Sequence, residues 1–294
     1  VMPSGNVHDE PICIADEEAR AKLAGIADAF LGNNRPILTR FDDSVVRLIQ
    51  VDEVDEKPVC AIQFLRRARG YAPVPVSVTA EGVAPAEGII FAAGPEQKNT
   101  FTLLRGTDGF VSQHIGDVEN AETYDAWLAT KDRFESLFEM TPTAVACDLH
   151  PEYLTSKWAH HQGLPVTEVQ HHHAHIVSVM AEHGLTDAVC GIAFDGTGAG
   201  TDGTIWGGEF LVAHLADFER VAHLRTWALP GGAASVHDAR RNAFALLSEL
   251  DLLEHPGAAG LLNSLDEQTR SITATMIERG INSPRTSSMG RLFD

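Results

Sequence analysis

The sequence predicts an α/β (α+β) fold in two parts, on three observations. Residues 88–113 give three consecutive β-like runs joined by tight turns. From residue 118 onward, stretches of strand and helix character alternate. A glycine-rich stretch after Asp195 leads into a further strand rather than into a helix. The length, 294 residues, exceeds what one core usually serves and suggests two domains.

Taken in order, Asp16 is read as the cap of a helix from Glu17 to Phe30, with acidic residues in its first turn and Gly32 past its end. Short β-like runs follow at PILTR (36–40), SVVRLI (44–49) and VCAIQF (59–64). The small, Pro/Gly-containing stretch TAEGVAPAEG (79–88) reads as a linker, which divides the chain into blocks 1–78 and 88–294. GIIFAAG (88–94), KNTFTLLR (98–105) and GFVSQ (109–113) read as strands. A helix from Val118 to Phe138, the strand TAVACD (143–148) and a helix from near Pro151 come next. The strand VTEVQ (166–170) precedes a helix from His171 to His183, closed by Gly184. The strand AVCGIAFD (188–195) leads through the glycine-rich turn into TIWGGEFLVAHL (204–215), and the chain is mainly helical from Ala239. Together these predict a mixed sheet covered by helices.

Composition narrows the function. An apolar fraction of 44% with 21% charged residues is that of a globular protein. No apolar run approaches the roughly 18 residues that cross a bilayer, and no basic-then-apolar start reads as a secretory signal. The expectation is a cytoplasmic protein with no membrane partner. A net charge of −19 gives no general attraction to a phosphate backbone, and the densest basic stretch, Arg66, Arg67 and Arg69, is short. Nucleic acid is therefore not expected as a partner. Cys13, Cys60, Cys147 and Cys190 form no C-x-x-C pair, which excludes a zinc ribbon. Cys147 and Cys190 lie in apolar runs and read as buried small hydrophobes. Val1 in place of Met, and an ending at GRLFD, read as cuts from a longer polypeptide.

Three motifs carry chemistry. In QHHHAH (170–175), His171 and His175 are four apart and share a helix face, so both can point at one ion, and imidazoles suit zinc or iron. His172 and His173 point elsewhere. Asp195 ends an apolar strand, where a carboxylate is poised at a crevice as a third ligand. The stretch Gly196, Thr197, Gly198, Gly200, Thr201, Asp202 and Gly203 would let backbone N–H groups approach a phosphate. Lys98, Asn99 and Thr100, four residues after Gly94, suit a phosphate tail and also read as a plain solvated turn. In the first block, Arg40, Asp43 and Ser44, with Ser4 and Asn6, would line a nucleotide site or simply a polar loop.

The order of motifs resembles one family. PSGN (3–6), RPILTRFDDSVVR (35–47) and LRRARGYAP (65–73) resemble the end of the YrdC-like domain of HypF proteins. GPEQKNTFTLLRG, SQHIGD, DLHPEY, VQHHHAH, FDGTGAGTDGTIWGGEF and TSSMGRLFD resemble the TsaD-like domain that follows it. The resemblance covers nearly the whole chain. It implies carbamoyl transfer in nickel–iron hydrogenase maturation: carbamoyl phosphate and ATP give carbamoyl adenylate, and the carbamoyl passes to the C-terminal cysteine thiol of a HypE-like partner. It further implies the ribonuclease-H-like, actin-like ATPase fold, truncated, with one divalent metal (iron or zinc) on His171, His175 and Asp195, and magnesium with ATP. Lys98–Thr100 and the Gly196–Gly203 hairpin would handle nucleotide phosphates, and Ser4, Asn6, Arg40, Asp43 and Ser44 would be remnants of the adenylate-forming site. The chain departs from the family in lacking an acylphosphatase domain and in reading PSGN where TSGN is usual. A family Asp ligand and the adenosine-binding glycines fall outside it. The rival resemblances are an antibiotic O-carbamoyltransferase, where the TsaD-like part comes first, and a TsaD-type tRNA threonylcarbamoyl transferase, which lacks the fused YrdC-like segment. A non-catalytic nucleotide- or metal-binding scaffold is the reading from another class.

Overall fold

A computed structural model describes residues 5–8, 10–54, 57–79 and 81–294. The backbone divides into two compact units, Val1–Thr79 with Val83–Glu168, and Ala80–Gly82 with Val169–Asp294.

The first unit opens with helix α1 (Asp16–Leu23). It is shorter than the sequence predicts, and Asp16 is its first helical residue, with Ala15 in the cap position. No residue of α1 is buried, so nothing offsets the helix-weakening Gly25 that follows. The predicted strand PILTR is irregular, with Ile37 and Leu38 exposed. Strands β1 (Val45–Val54) and β2 (Lys57–Arg66) pair antiparallel from Val45↔Arg66 to Val54↔Lys57.

β3 (Val76–Ser77), β4 (Ala86–Ala92), β5 (Thr102–Gly106) and β6 (Asp108–Val111) lead to α2 (Ala121–Phe138), which Asn120 caps by accepting the Thr123 N–H. β7 (Ala144–Asp148), α3 (Leu154–His160) and β8 (Val166–Val169) follow. The sheet order is β3-β6-β5-β4-β7-β8. β4, β5 and β6 form an antiparallel meander, and the crossover through α2 returns β7 parallel to β4. α2 presents Trp127 and Phe134 to Phe91, Phe101 and Leu103 of the sheet, with Trp158 of α3 at the margin. The rings meet edge-on: Phe101 and Phe134 centroids are 5.1 Å apart at 80°. The sheet takes in strands on both sides of the stretch read as a linker: β3 precedes it and pairs with β6, and Ala86 within it already pairs with Gly106.

The second unit begins with α4 (His171–Glu182), capped by Gln170. β9 (Val189–Ala199), β10 (Ile205–Ala213) and β11 (Phe218–His223) form a second antiparallel meander. β12 (Trp227–Ala228), α5 (Ala233–His237), α6 (Ala239–Glu249), α7 (Ala259–Ser264) and α8 (Glu267–Arg279) follow. β13 (Arg285–Thr286) adds parallel to β10 at Ile205↔Thr286, and α9 (Met289–Phe293) ends the chain. α4 lays Ile176 and Met180 on Ala193, Trp206 and Leu211.

Two readings change here. β9 runs on to Ala199, so Gly196–Ala199 is strand and the turn is confined to 200–204. Cys190 is exposed, not buried, because strand alternation puts Gly191 and Ala193 on the α4 side and Cys190, Ile192 and Phe194 on the other. Cys147 is buried, and all four cysteines are free thiols. Among the described residues no helix is long and apolar enough to cross a membrane.

Candidate metal centre

The first turn of α4 and the carboxyl half of β9 build the site. Gln170 accepts the His173 N–H through Oε1 and donates from Nε2 to Ala199 O at 3.1 Å, tying the start of the helix to the strand. On that turn, His171 Nε2 stands 2.9 Å from Asp195 Oδ2, His175 Nε2 stands 3.4 Å from the same oxygen, and the two imidazole nitrogens are 3.2 Å apart. One donor atom from each residue lies within 4.8 Å of the others. Ligands about 2.0–2.2 Å from a tetrahedral ion lie about 3.3–3.6 Å from one another. The three side chains therefore stand close to a ligand arrangement, and two imidazoles with one carboxylate fit zinc or ferrous iron.

Asp195 is held as a carboxylate. Burial by itself would raise its pKa, but hydrogen bonds to His171 and His175, and the Gly196 N–H on Oδ1 at 2.6 Å, take it far below the usual carboxylate range. The backbone contact occupies Oδ1 and turns Oδ2 toward the imidazoles.

The other two histidines serve the scaffold. His173 Nε2 donates to His214 O at 2.7 Å. His172 is fully buried, and burial, with His171 adding, lowers its pKa to about 4, so it stays neutral. Its Nδ1 accepts from Gln170 Nε2 at 3.1 Å. The His172 ring fills the place a side chain at 198 would take: a methyl group on Gly198 would lie 2.5 Å from His172 Cε1. A methyl group on Gly200 would lie 2.2 Å from the Trp206 indole nitrogen. These two glycines are bare because other side chains pack against them, whereas Gly203, at φ +76°, makes the turn.

Asp202 is exposed, yet its carboxylate is fully engaged. Its carboxylate accepts from Thr204, from Trp206 Nε1 at 2.9 Å and from Arg220 at 2.9 Å. Partial burial would raise its pKa, but these bonds hold it at about 2. Thr197 and Thr201 are exposed. Sequence reasoning missed the residues behind this strand. Glu209, fully buried, accepts from the Gly207 and Gly208 N–H groups, from Arg220 and from Ser287. A carboxylate inside the apolar run WGGEFLVA was the available signal.

The remaining expected residues lie in the first unit. Asn6, Arg40 and Lys98 line one cavity of about 340 Å³ with Gln113, His114 and Asp117. Arg40 spends its guanidinium on Glu18 and Ile12 O. Asn99 is buried and donates its amide to Ala93 O at 3.0 Å, holding the turn, while Thr100 is half-buried. Asp43 pairs with Arg69, and the Ser44 hydroxyl bridges Ala68 N and Arg69 O; neither residue lines the cavity. Ser4 lies outside the described residues.

Comparison with known proteins gives three family matches. Residues 85–182 match the HypF Kae1-like domain, and residues 191–294 match the second subdomain of the carbamoyltransferase Kae1-like domain. Residues 1–66 match the Sua5/YciO/YrdC family, described as telomere recombination. Carbamoyltransferase HypF of Synechocystis sp. is 40% identical over 308 residues, covering 100% of this chain and 38% of that protein. Carbamoyltransferase HypF2 of Cupriavidus necator is 39% identical over 306 residues, covering 100% of this chain and 35% of its own length. A crystal structure of full-length HypF in a phosphate- and nucleotide-bound form superposes with a TM-score of 0.89 at 41% identity, over 99% of this chain and 43% of that one. The chain thus spans about two fifths of the length of the relatives it matches.

Proposed function

This chain belongs to the HypF carbamoyltransferase family, and on that premise we propose that it carries the carbamoyl-transfer module of nickel–iron hydrogenase maturation. In this reading residues 1–78 are the end of a YrdC-like domain that forms carbamoyl adenylate from carbamoyl phosphate and ATP. Residues 79–87 connect it to a TsaD-like domain, 88–294, which passes the carbamoyl group to the C-terminal cysteine thiol of a HypE-like protein. The reaction belongs to the cytoplasm.

The convergence of His171, His175 and Asp195 carries the proposal. A divalent metal bound there supplies a Lewis acid for a carbamoyl or phosphate oxygen. The chain's own residues do the rest. His171 and His175 present Nε2 to the site, and Asp195 adds one negative charge that its hydrogen bonds keep ionised. His172 remains uncharged beside them and adds no repulsion. In the first unit, Lys98 shares a cavity with Asn6 and Arg40, and this supports reading those residues as parts of a site for ATP phosphates and their magnesium. Transfer itself joins the thiolate sulfur to the carbamoyl carbon and releases AMP.

A chimera tests this. The aligned segment of the Synechocystis HypF is replaced by this chain, and a HypE-type C-terminal cysteine peptide is supplied with ATP and carbamoyl phosphate. The proposal expects one carbamoyl group on the cysteine by mass spectrometry, lost on His171→Ala/His175→Ala. Equal carbamoylation by the double variant would sink it.

A further inference from the structure

TSSMGRLFD (286–294) is the motif the proposed mechanism leaves unused, and it lies against the metal-bearing strand. Thr286 pairs beside β10, and the next residues cross β9 at Asp195 and Gly196. The Ser288 hydroxyl is 3.0 Å from Asp195 O and 2.7 Å from Gly196 O. Ser287 Oγ is 2.5 Å from Glu209 Oε1, which anchors the segment in the core. A methyl group on Gly290 would lie 2.7 Å from Gly196 Cα, so the two backbones meet with no side chain between them.

This contact delivers Arg291 to the site. A methyl group on Gly196 would stand 3.5 Å from one of its terminal guanidinium nitrogens. The arginine is held, not trailing: its side chain is 15% exposed, its N–H bonds to Ser288 Oγ, and its carbonyl accepts from Asn242. Nε faces Asp294 at 3.0 Å, and among the described residues neither terminal nitrogen has a hydrogen-bond acceptor. Asp195, one residue from Gly196, is taken by the histidines and not by this cation. A held guanidinium with an unused N–H edge, beside Gly196, which carries no side chain, and next to a ligand cluster, is a receptor for a two-oxygen anion.

We propose that Arg291 binds a phosphoryl oxyanion beside the His171, His175 and Asp195 cluster, taking one or two oxygens of a phosphate chain. The inference rests on the metal reading of His171, His175 and Asp195. It makes the Gly196 strand an anion site through a side chain supplied 95 residues later, rather than through its own glycines.

The test uses the chain as it is, with ATP as probe. Metal-dependent ATP binding is taken as the difference in calorimetric affinity between the metal-loaded chain and His171→Ala/His175→Ala. Removing one charge-assisted contact by Arg291→Met weakens this binding about 10- to 100-fold with metal per chain unchanged, and Arg291→Lys recovers part of it. Binding by Arg291→Met within twofold of the parent overturns the inference, as does a metal-loaded parent that binds no ATP. A parent that takes up no metal removes the reading beneath as well, so the two failures are told apart by metal content. If Arg291→Met fails to fold, the unsubstituted protein decides. ATP should slow phenylglyoxal modification of Arg291 several-fold while leaving exposed Arg225 unchanged, and equal rates at Arg291 with and without ATP refute it.

Discussion

His171 Nε2 stands 2.9 Å from Asp195 Oδ2 although 24 residues separate them in sequence. The pair closes because α4 and β9 approach until helix and strand touch at Gly198. The chemistry on one side of the site thus depends on packing on the other.

Gly198→Ala probes that dependence. The added methyl meets the buried His172 ring, which has no free space to move into. We expect about 1–3 kcal/mol of destabilisation by urea unfolding, with weaker metal binding because the His171 turn is pushed from Asp195. A variant with parent stability and parent metal affinity would show that the close approach does not matter.

Glu209→Ala removes a fully buried carboxylate and leaves the half-buried Arg220 with Asp202 as its remaining carboxylate partner. Breaking a buried pair of this kind costs about 3–5 kcal/mol. Glu209→Gln should cost less, since its amide oxygen still accepts from Gly207 and Gly208. Chemical denaturation of the two variants orders them, and equal losses would contradict the account.

Much of this was legible in the sequence. The four-residue spacing of His171 and His175 is a helical period, and Asp195 closes the apolar run of a strand that continues to Ala199, so local patterns reached the ligands. The Ser288 and Arg291 contacts lie more than ninety residues from Asp195 and Gly196, and no local pattern encodes a fold that long. Glycines that suggested a phosphate cradle proved, at 198 and 200, to be seats for His172 and Trp206. FERVAH was not read as a strand because only Phe218 and Arg220 of its residues are even half-buried. α1 stopped early because helical propensity without a buried face does not hold a helix past a glycine.

Asp202 should make stability acid-sensitive. Its folded pKa of about 2 lies below the roughly 3.9 of an unfolded aspartate. Its contribution is complete above about pH 4 and is lost as pH falls from there through 2. Urea midpoints across that range should fall more steeply for the parent than for Asp202→Asn. Parallel curves would mean the carboxylate is not held by Arg220 and Trp206.

Thiol labelling reports strand alternation. Cys60 and Cys190 should react with a thiol reagent in the native protein, and Cys147 only after unfolding, because it is buried and burial raises its pKa. Peptide mapping of an early time point distinguishes them, and early modification of Cys147 would contradict the packing of β7.

The most direct test of the central claim is metal content by elemental analysis, on the parent chain and on His171→Ala/His175→Ala, each with and without ATP. The account predicts close to one iron or zinc per parent chain and its loss from the double variant. The same metal content in both proteins would contradict it and place the ion elsewhere.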